Sequence, residues 1–124
     1  MYIPRMLVFA LLFSCCRPTE EPKMYETSMN FDLENVGPFL DQLENRLHLG
    51  LPVADLVMFT RSTAVESENT RTLAVKYRGE VTRLDYRVFM DDIDAPDLYF
   101  GSSSKELSEA IDAELRQFAD ERGL

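Results

Sequence analysis

The chain has 124 residues, with 22 Asp+Glu against 13 Lys+Arg, a formal net charge of −9, and 45% hydrophobic residues. That length and apolar share support one modest core and exclude a second domain of ordinary size. The acidic balance argues against nucleic acid as a partner and against electrostatic attachment to anionic lipid.

Met1 to Ser14 carries a single positive charge, Arg5, ahead of the apolar run from Met6 to Phe13. Such a run in helical form spans about 12 Å, against a hydrocarbon core of about 30 Å, so it is too short to cross a membrane. Its length suits the apolar region of a secretory signal. The small-x-small cleavage site of an ordinary signal is replaced here by Ser14-Cys15. Leu12, Ser14 and Cys15 resemble the lipobox of bacterial lipoproteins, with Phe13 bulkier than the residue usual at that place. The resemblance implies that the Cys15 thiol receives a diacylglycerol, that residues 1–14 are removed, and that the new amino group is acylated. It implies a cell-envelope location, and Cys16 in place of aspartate after Cys15 points to the outer membrane, facing the periplasm. An ordinary signal peptide or a buried amino-terminal strand are the competing readings. The chain's two cysteines, Cys15 and Cys16, are adjacent, so no disulfide framework is expected. Each buried methylene of an acyl chain contributes about 0.8 kcal/mol, which makes several chains a stable anchor.

Removal of residues 1–14 leaves 110 residues and a net charge of −10. Residues 15–30 hold Pro18, Pro22 and the acids Glu20 and Glu21, with few apolar side chains, and read as a flexible tether. Residues 31–124 read as a single α+β domain. A first helix is expected to start near Val36, capped by Asn35, with Pro38 in its first turn. Val36, Phe39, Leu40, Leu43 and Leu47 recur at helical steps and form its apolar stripe. Gly50 and Pro52 end it. His48, the single histidine, falls in the last turn, where a surface or capping role fits better than catalysis or metal binding.

Leu56 to Thr60 reads as a strand. Leu73, Val75 and Tyr77 then alternate with polar residues, and Gly79-Glu80 reads as a two-residue type II′ hairpin loop leading into Val81–Met90. That loop sets Val75 opposite Leu84, Leu73 opposite Tyr86 and Lys76 opposite Arg83. The polar side of the pleat carries Lys76, Arg78, Arg83 and Arg87, with Asp85 among them, and this basic strip is a candidate anion or partner contact. The competing reading is that Asp85 and loop acids such as Glu80 neutralise it. Asp91, Asp92, Asp94 and Asp97 follow as a candidate acidic contact. They do not match a calcium loop, which would need glycine sixth and glutamate twelfth where Asp97 and Ser103 stand. Leu98–Phe100 reads as a last strand. Ser103 and Glu106 form a capping box for a final helix, with an apolar stripe of Leu107, Ala110, Ile111, Leu115, Phe118 and Ala119 and an end at Gly123.

The expected architecture is a three- to four-stranded antiparallel sheet with an N-terminal and a C-terminal helix packed on one face. The passage through Leu47, Gly50, Leu51 and Pro52 loosely resembles the opening of type III secretion chaperones, which are also small and acidic. The later chain leaves that pattern, and an export signal does not suit a cytosolic chaperone.

Enzymatic parts are scarce. The domain has no cysteine, one histidine at a helix end, and no phosphate-cradling glycine loop, while Ser102-Ser103-Ser104 is explained by turn and capping chemistry. The expectation is a non-enzymatic binding or accessory module without cofactor or metal, held at the membrane by lipid. An inhibitor or immunity-type protein for a basic partner would bind through its acidic loops. An envelope assembly or maintenance factor would dock through the basic strand face. A small hydrolase using two carboxylates is the remaining alternative.

Overall fold

A computed structural model describes residues 23–123 of the chain. The signal segment, the lipid-attachment candidate Cys15 and the first portion of the expected tether lie outside the described residues. Seven elements follow in order: β1 (Tyr25–Asn30), α1 (Leu33–Leu47), α2 (Val53–Ser62), β2 (Ser67–Tyr77), β3 (Glu80–Asp92), β4 (Ala95–Ser102) and α3 (Lys105–Arg122). The strands form one antiparallel sheet in the order β1-β4-β3-β2. The fold is thus α+β with a four-stranded antiparallel sheet, as expected, and with one more helix than expected.

The core lies between the sheet and the helices. Leu84, Tyr86, Val88 and Met90 of β3 and Leu98 and Phe100 of β4 are buried, while the residues between them are not. This alternation sends every second side chain toward the helices. α1 contributes Val36, Phe39, Leu40 and Leu43, α3 contributes Leu107, Ile111, Leu115 and Phe118, and α2 adds Leu56. Phe39 sits at the aromatic centre, with ring centroids 5.1 Å from Phe31, 5.4 Å from Phe118 and 5.9 Å from Phe100. The contacts with Phe118 and Phe100 are edge-to-face, and such packing adds about 0.5–1.5 kcal/mol per pair beyond burial.

Four local expectations need correction. Leu56–Thr60 is helix, not strand: Val53, Leu56, Val57 and Thr60 recur at helical spacing behind Pro52, which serves as N-cap, and Leu56 and Thr60 are buried. The tether ends earlier than residue 30, because Tyr25–Asn30 pairs along β4 from Tyr25 opposite Ser102 to Asn30 opposite Asp97. α1 starts three residues before Val36, at Leu33, with Asp32 as N-cap and the Leu33 N–H donating to the Asp94 carbonyl at 2.8 Å. Tertiary contact therefore moves that boundary. Ser104 rather than Ser103 caps α3, its hydroxyl accepting from the Leu107 N–H at 3.2 Å.

The β2–β3 hairpin also differs by one residue in its loop. Arg78 (φ 52°) and Gly79 (φ 82°) form it, a type I′ arrangement with both central residues left-handed. The register moves by two, so Leu73 faces Leu84, Val75 faces Thr82 and Ala74 faces Arg83. A two-residue slip preserves which face each side chain occupies. His48 is the C-cap of α1, exposed and left-handed (φ 52°), its N–H donating to the Glu44 carbonyl at 2.9 Å. The Glu44 carboxylate takes the next free donors, the N–H groups of Gly50 and Leu51 at 3.1 and 2.9 Å. Among the described residues no helix is long and apolar enough to cross a membrane.

Candidate functional site

The helices cover one face of the sheet, and the polar side chains between the core positions form the other. Arg87, on the inner strand β3, anchors this outer face. Its Nη2 donates to Glu26 of β1 at 2.9 and 3.0 Å, and its Nη1 donates to Glu68 of β2 at 2.8 Å. The guanidinium carbon lies 4.3 Å from the ring centroid of Tyr99 on the intervening strand. One arginine thus ties together residues from all four strands. Burial works against its charge, yet the hydrogen bonds and negative charges of Glu68 and Glu26 outweigh it and hold the guanidinium pKa above its ordinary value.

The other members of the basic strip divide in their partners. Arg83 makes a two-point bond with Asp85, both contacts at 3.0 Å. Arg78 leaves the strip at the hairpin loop and pairs with Glu106 of α3 at 3.1 Å. Lys76 faces Val81 rather than Arg83, so the expected clash of two cations across the ladder does not arise. Its ammonium makes no ion pair among the described residues. The neutralising acids thus include Asp85, as the sequence suggests, together with Glu26, Glu68 and Glu106 from other elements.

The four aspartates occupy the β3–β4 hairpin. Asp91 and Asp92 end β3, Ile93 and Asp94 make the turn, and Asp97 sits on β4. Asp92 Oδ1 accepts the Asp94 N–H at 3.0 Å and so braces the turn, while Asp97 Oδ1 accepts from the Asn30 side chain at 2.7 Å. The chain between β1 and α1 pins the hairpin from one flank, with Phe31 N–H donating to Pro96 at 2.9 Å and Leu33 N–H donating to Asp94. Asp91, Asp92 and Asp94 remain exposed around Ile93, whose surface is 62% exposed. Asp94 also borders a shallow open cleft of about 420 Å³ shared with Asp32, Glu34 and Arg61. Among the described residues no group of three or more side chains is placed to hold a metal ion.

Ile93 is the residue that reading the sequence for charge passes over. The signal was one large aliphatic side chain inside a run of aspartates, where a solvated loop has no need of one. The arrangement can present an apolar tip inside a negative rim, on a support too constrained to need ordering when a partner arrives. Two of the three consecutive serines serve the backbone: Ser102 donates to the Arg83 carbonyl at 2.9 Å and accepts the Ser104 N–H at 3.1 Å, and Ser104 caps α3. Comparison with protein-family models, curated proteins and solved structures finds no match to this chain.

Proposed function

We propose that this protein is a small lipid-anchored module of the bacterial cell envelope, non-enzymatic, that binds a basic protein partner through its β3–β4 hairpin. The observation that carries the reading is the braced hairpin tip, with exposed Ile93 rimmed by the carboxylates of Asp91, Asp92 and Asp94. An apolar anchor within a charged rim is the usual anatomy of a binding centre. The net charge of −10 after removal of residues 1–14 would draw a cationic partner toward it. An inhibitor or immunity-type protein has this kind of surface. Docking through the basic strand is the weaker reading, because Arg78, Arg83 and Arg87 already hold acidic partners within the chain.

Attachment rests on Cys15. Ten peptide steps separate Cys15 from Tyr25, so a lipid there would keep the domain within about 35 Å of the membrane surface. Mass spectrometry of the mature amino terminus should find an acylated cysteine, and Cys15→Ser should abolish incorporation of labelled fatty acid. An unprocessed, unmodified amino terminus would end the anchoring half of the proposal.

The binding half is tested by crosslinked co-purification from intact cells. Asp91→Asn/Asp92→Asn/Asp94→Asn should lose a partner that the unaltered chain recovers, and recovery should fall as salt rises. Lys76→Glu/Arg83→Glu should leave it in place. Recovery that depends on the strand pair and ignores the hairpin triple change would reverse the assignment in favour of an envelope assembly factor.

A further inference from the structure

α3 packs along β1, and its residues Lys105, Ser108, Glu109 and Asp112 recur at three- and four-residue steps. That spacing turns all four to one side of the helix. Tyr25, Glu26 and Thr27 of β1 border the same space, an open cleft of about 250 Å³ between the two elements. Ser108 is the lining residue whose chemistry the fold does not use. It is only 6% exposed, yet its hydroxyl makes no hydrogen bond among the described residues. Alanine would suit the helix better, since a serine hydroxyl competes for backbone groups. Among the described residues no fully enclosed side-chain polar atom lacks a partner, so the Ser108 hydroxyl opens to the cleft.

Charge in the cleft is already balanced. Glu26 pairs with Arg87 at 2.9 Å, Asp112 with Arg116 at 2.9 Å, and Glu109 with Lys105 at 3.9 Å. A cationic ligand would meet Lys105 and also Lys23, whose ammonium stands 5.2 Å from the Tyr25 ring centroid. An anion would meet three carboxylates. The capacity left over is neutral hydrogen bonding of both kinds. Ser108 can donate and accept, and Thr27 Oγ1, which donates to Asp112 at 2.8 Å, keeps its lone pairs. Lys105 and Glu109, at 3.9 Å, keep donors and acceptors for a third party. Tyr25 adds an aromatic wall against which C–H groups can pack.

We propose that this cleft binds a neutral polyhydroxyl ligand, a single sugar ring or a polyol of similar size, with the Ser108 hydroxyl bonded to one of its hydroxyls. A molecule whose every oxygen both donates and accepts matches a wall that mixes the two and carries no local excess of charge. The volume lies below the ~300–1,000 Å³ of sites that enclose a drug-sized ligand, so one ring fits and a longer chain would extend into solvent. An open cleft with few directed bonds places the affinity in the millimolar range. The site is separate from the β3–β4 hairpin and does not rest on the function proposed for it.

The test uses the full-length chain with Cys15→Ser and Cys16→Ser, which cannot be lipidated. Methyl glucoside, N-acetylglucosamine and sorbitol are titrated in turn while amide NMR shifts are followed, with methylammonium chloride and sodium phosphate as charged probes. At least one of the three polyols should move Tyr25, Thr27, Ser108 and Glu109 together along a saturating curve. Ser108→Ala, a change that favours the helix, should fold and bind that polyol about five- to tenfold more weakly. Asp91→Asn/Asp92→Asn/Asp94→Asn should leave the polyol affinity unchanged. No saturation by any of the three polyols up to tens of millimolar overturns the proposal. So does binding that Ser108→Ala leaves intact, and so does tighter binding of methylammonium or phosphate at these residues.

Discussion

Two side chains show how single residues respond to pH in this fold. Asp112 on α3 accepts a hydrogen bond from the Thr27 hydroxyl at 2.8 Å and one from Arg116 at 2.9 Å. These hold its carboxyl below the ordinary 3.8, with the Thr27 bond the larger cause. A depressed carboxylate contributes stability that is present above about pH 4 and lost as pH falls through the folded value. Thr27→Val should raise the Asp112 titration toward 3.8 in a carboxylate NMR experiment. The carboxylate is 40% exposed, so the stability change should stay near ~0.5 kcal/mol. Tyr86 behaves oppositely. Its hydroxyl lies 2.6 Å from Thr60 Oγ1, which gives its own proton to the Leu56 carbonyl at 2.7 Å, so the tyrosine is the donor. Burial pushes the phenol well above its ordinary value of 10.0, outweighing the opposing effect of the Thr60 hydrogen bond. The neutral form is the one the fold holds, so stability should be complete below about pH 10 and fall above it, with tyrosinate absorbance of Tyr86 rising only on unfolding. Thr60→Val would leave the phenol proton without an acceptor and should cost about 1–3 kcal/mol in urea titration.

At the scale of elements, the β2–β3 hairpin carries the sharpest expectation. Gly79→Ala places a side chain at φ 82° and should destabilise by about 1 kcal/mol. Arg78→Asn, at the other left-handed loop position, should gain a few tenths to about 0.5 kcal/mol, since the Arg78–Glu106 pair it removes is exposed on both sides. Denaturant midpoints would read both. This same loop marks the limit of legibility in the sequence. Glycine announced a hairpin, but which neighbour shares the turn depends on the twist of the strands rather than on the glycine. The face of each strand residue was legible all the same, because alternation survives an even slip. α1 and α3 were legible from their stripes, and so was His48 as a helix end. α2 was not, because a short apolar run satisfies either period and the helical one shows only when Val53 and Pro52 are included. β1 was hidden for another reason: its half-buried and exposed residues alternate with none fully buried, beside a polar segment, and only β4 supplies their pairing. The basic strip was visible as a charge pattern, whereas its partners Glu26, Glu68 and Glu106 come from distant stretches of the chain.

The whole molecule rests on one connected core, in which all three helices share buried side chains with the inner face of the sheet. Unfolding should accordingly be a single cooperative transition. Phe39→Ala, at the junction of three aromatic contacts, should remove about 3–5 kcal/mol, a large share of the total for a domain of this size. Coincident fluorescence and circular dichroism melts would check the cooperativity. The placement of β1 has a mechanical consequence. Tyr25, where the chain enters the sheet from the amino side, lies directly opposite Ser102, where it leaves toward α3. Traction between the amino side and the rest of the domain would load that pairing from its open end, so the bonds would break in succession, like a zip, instead of resisting together. An anchor pulling on this chain should therefore peel away the first strand at low tension while the remaining sheet stays closed.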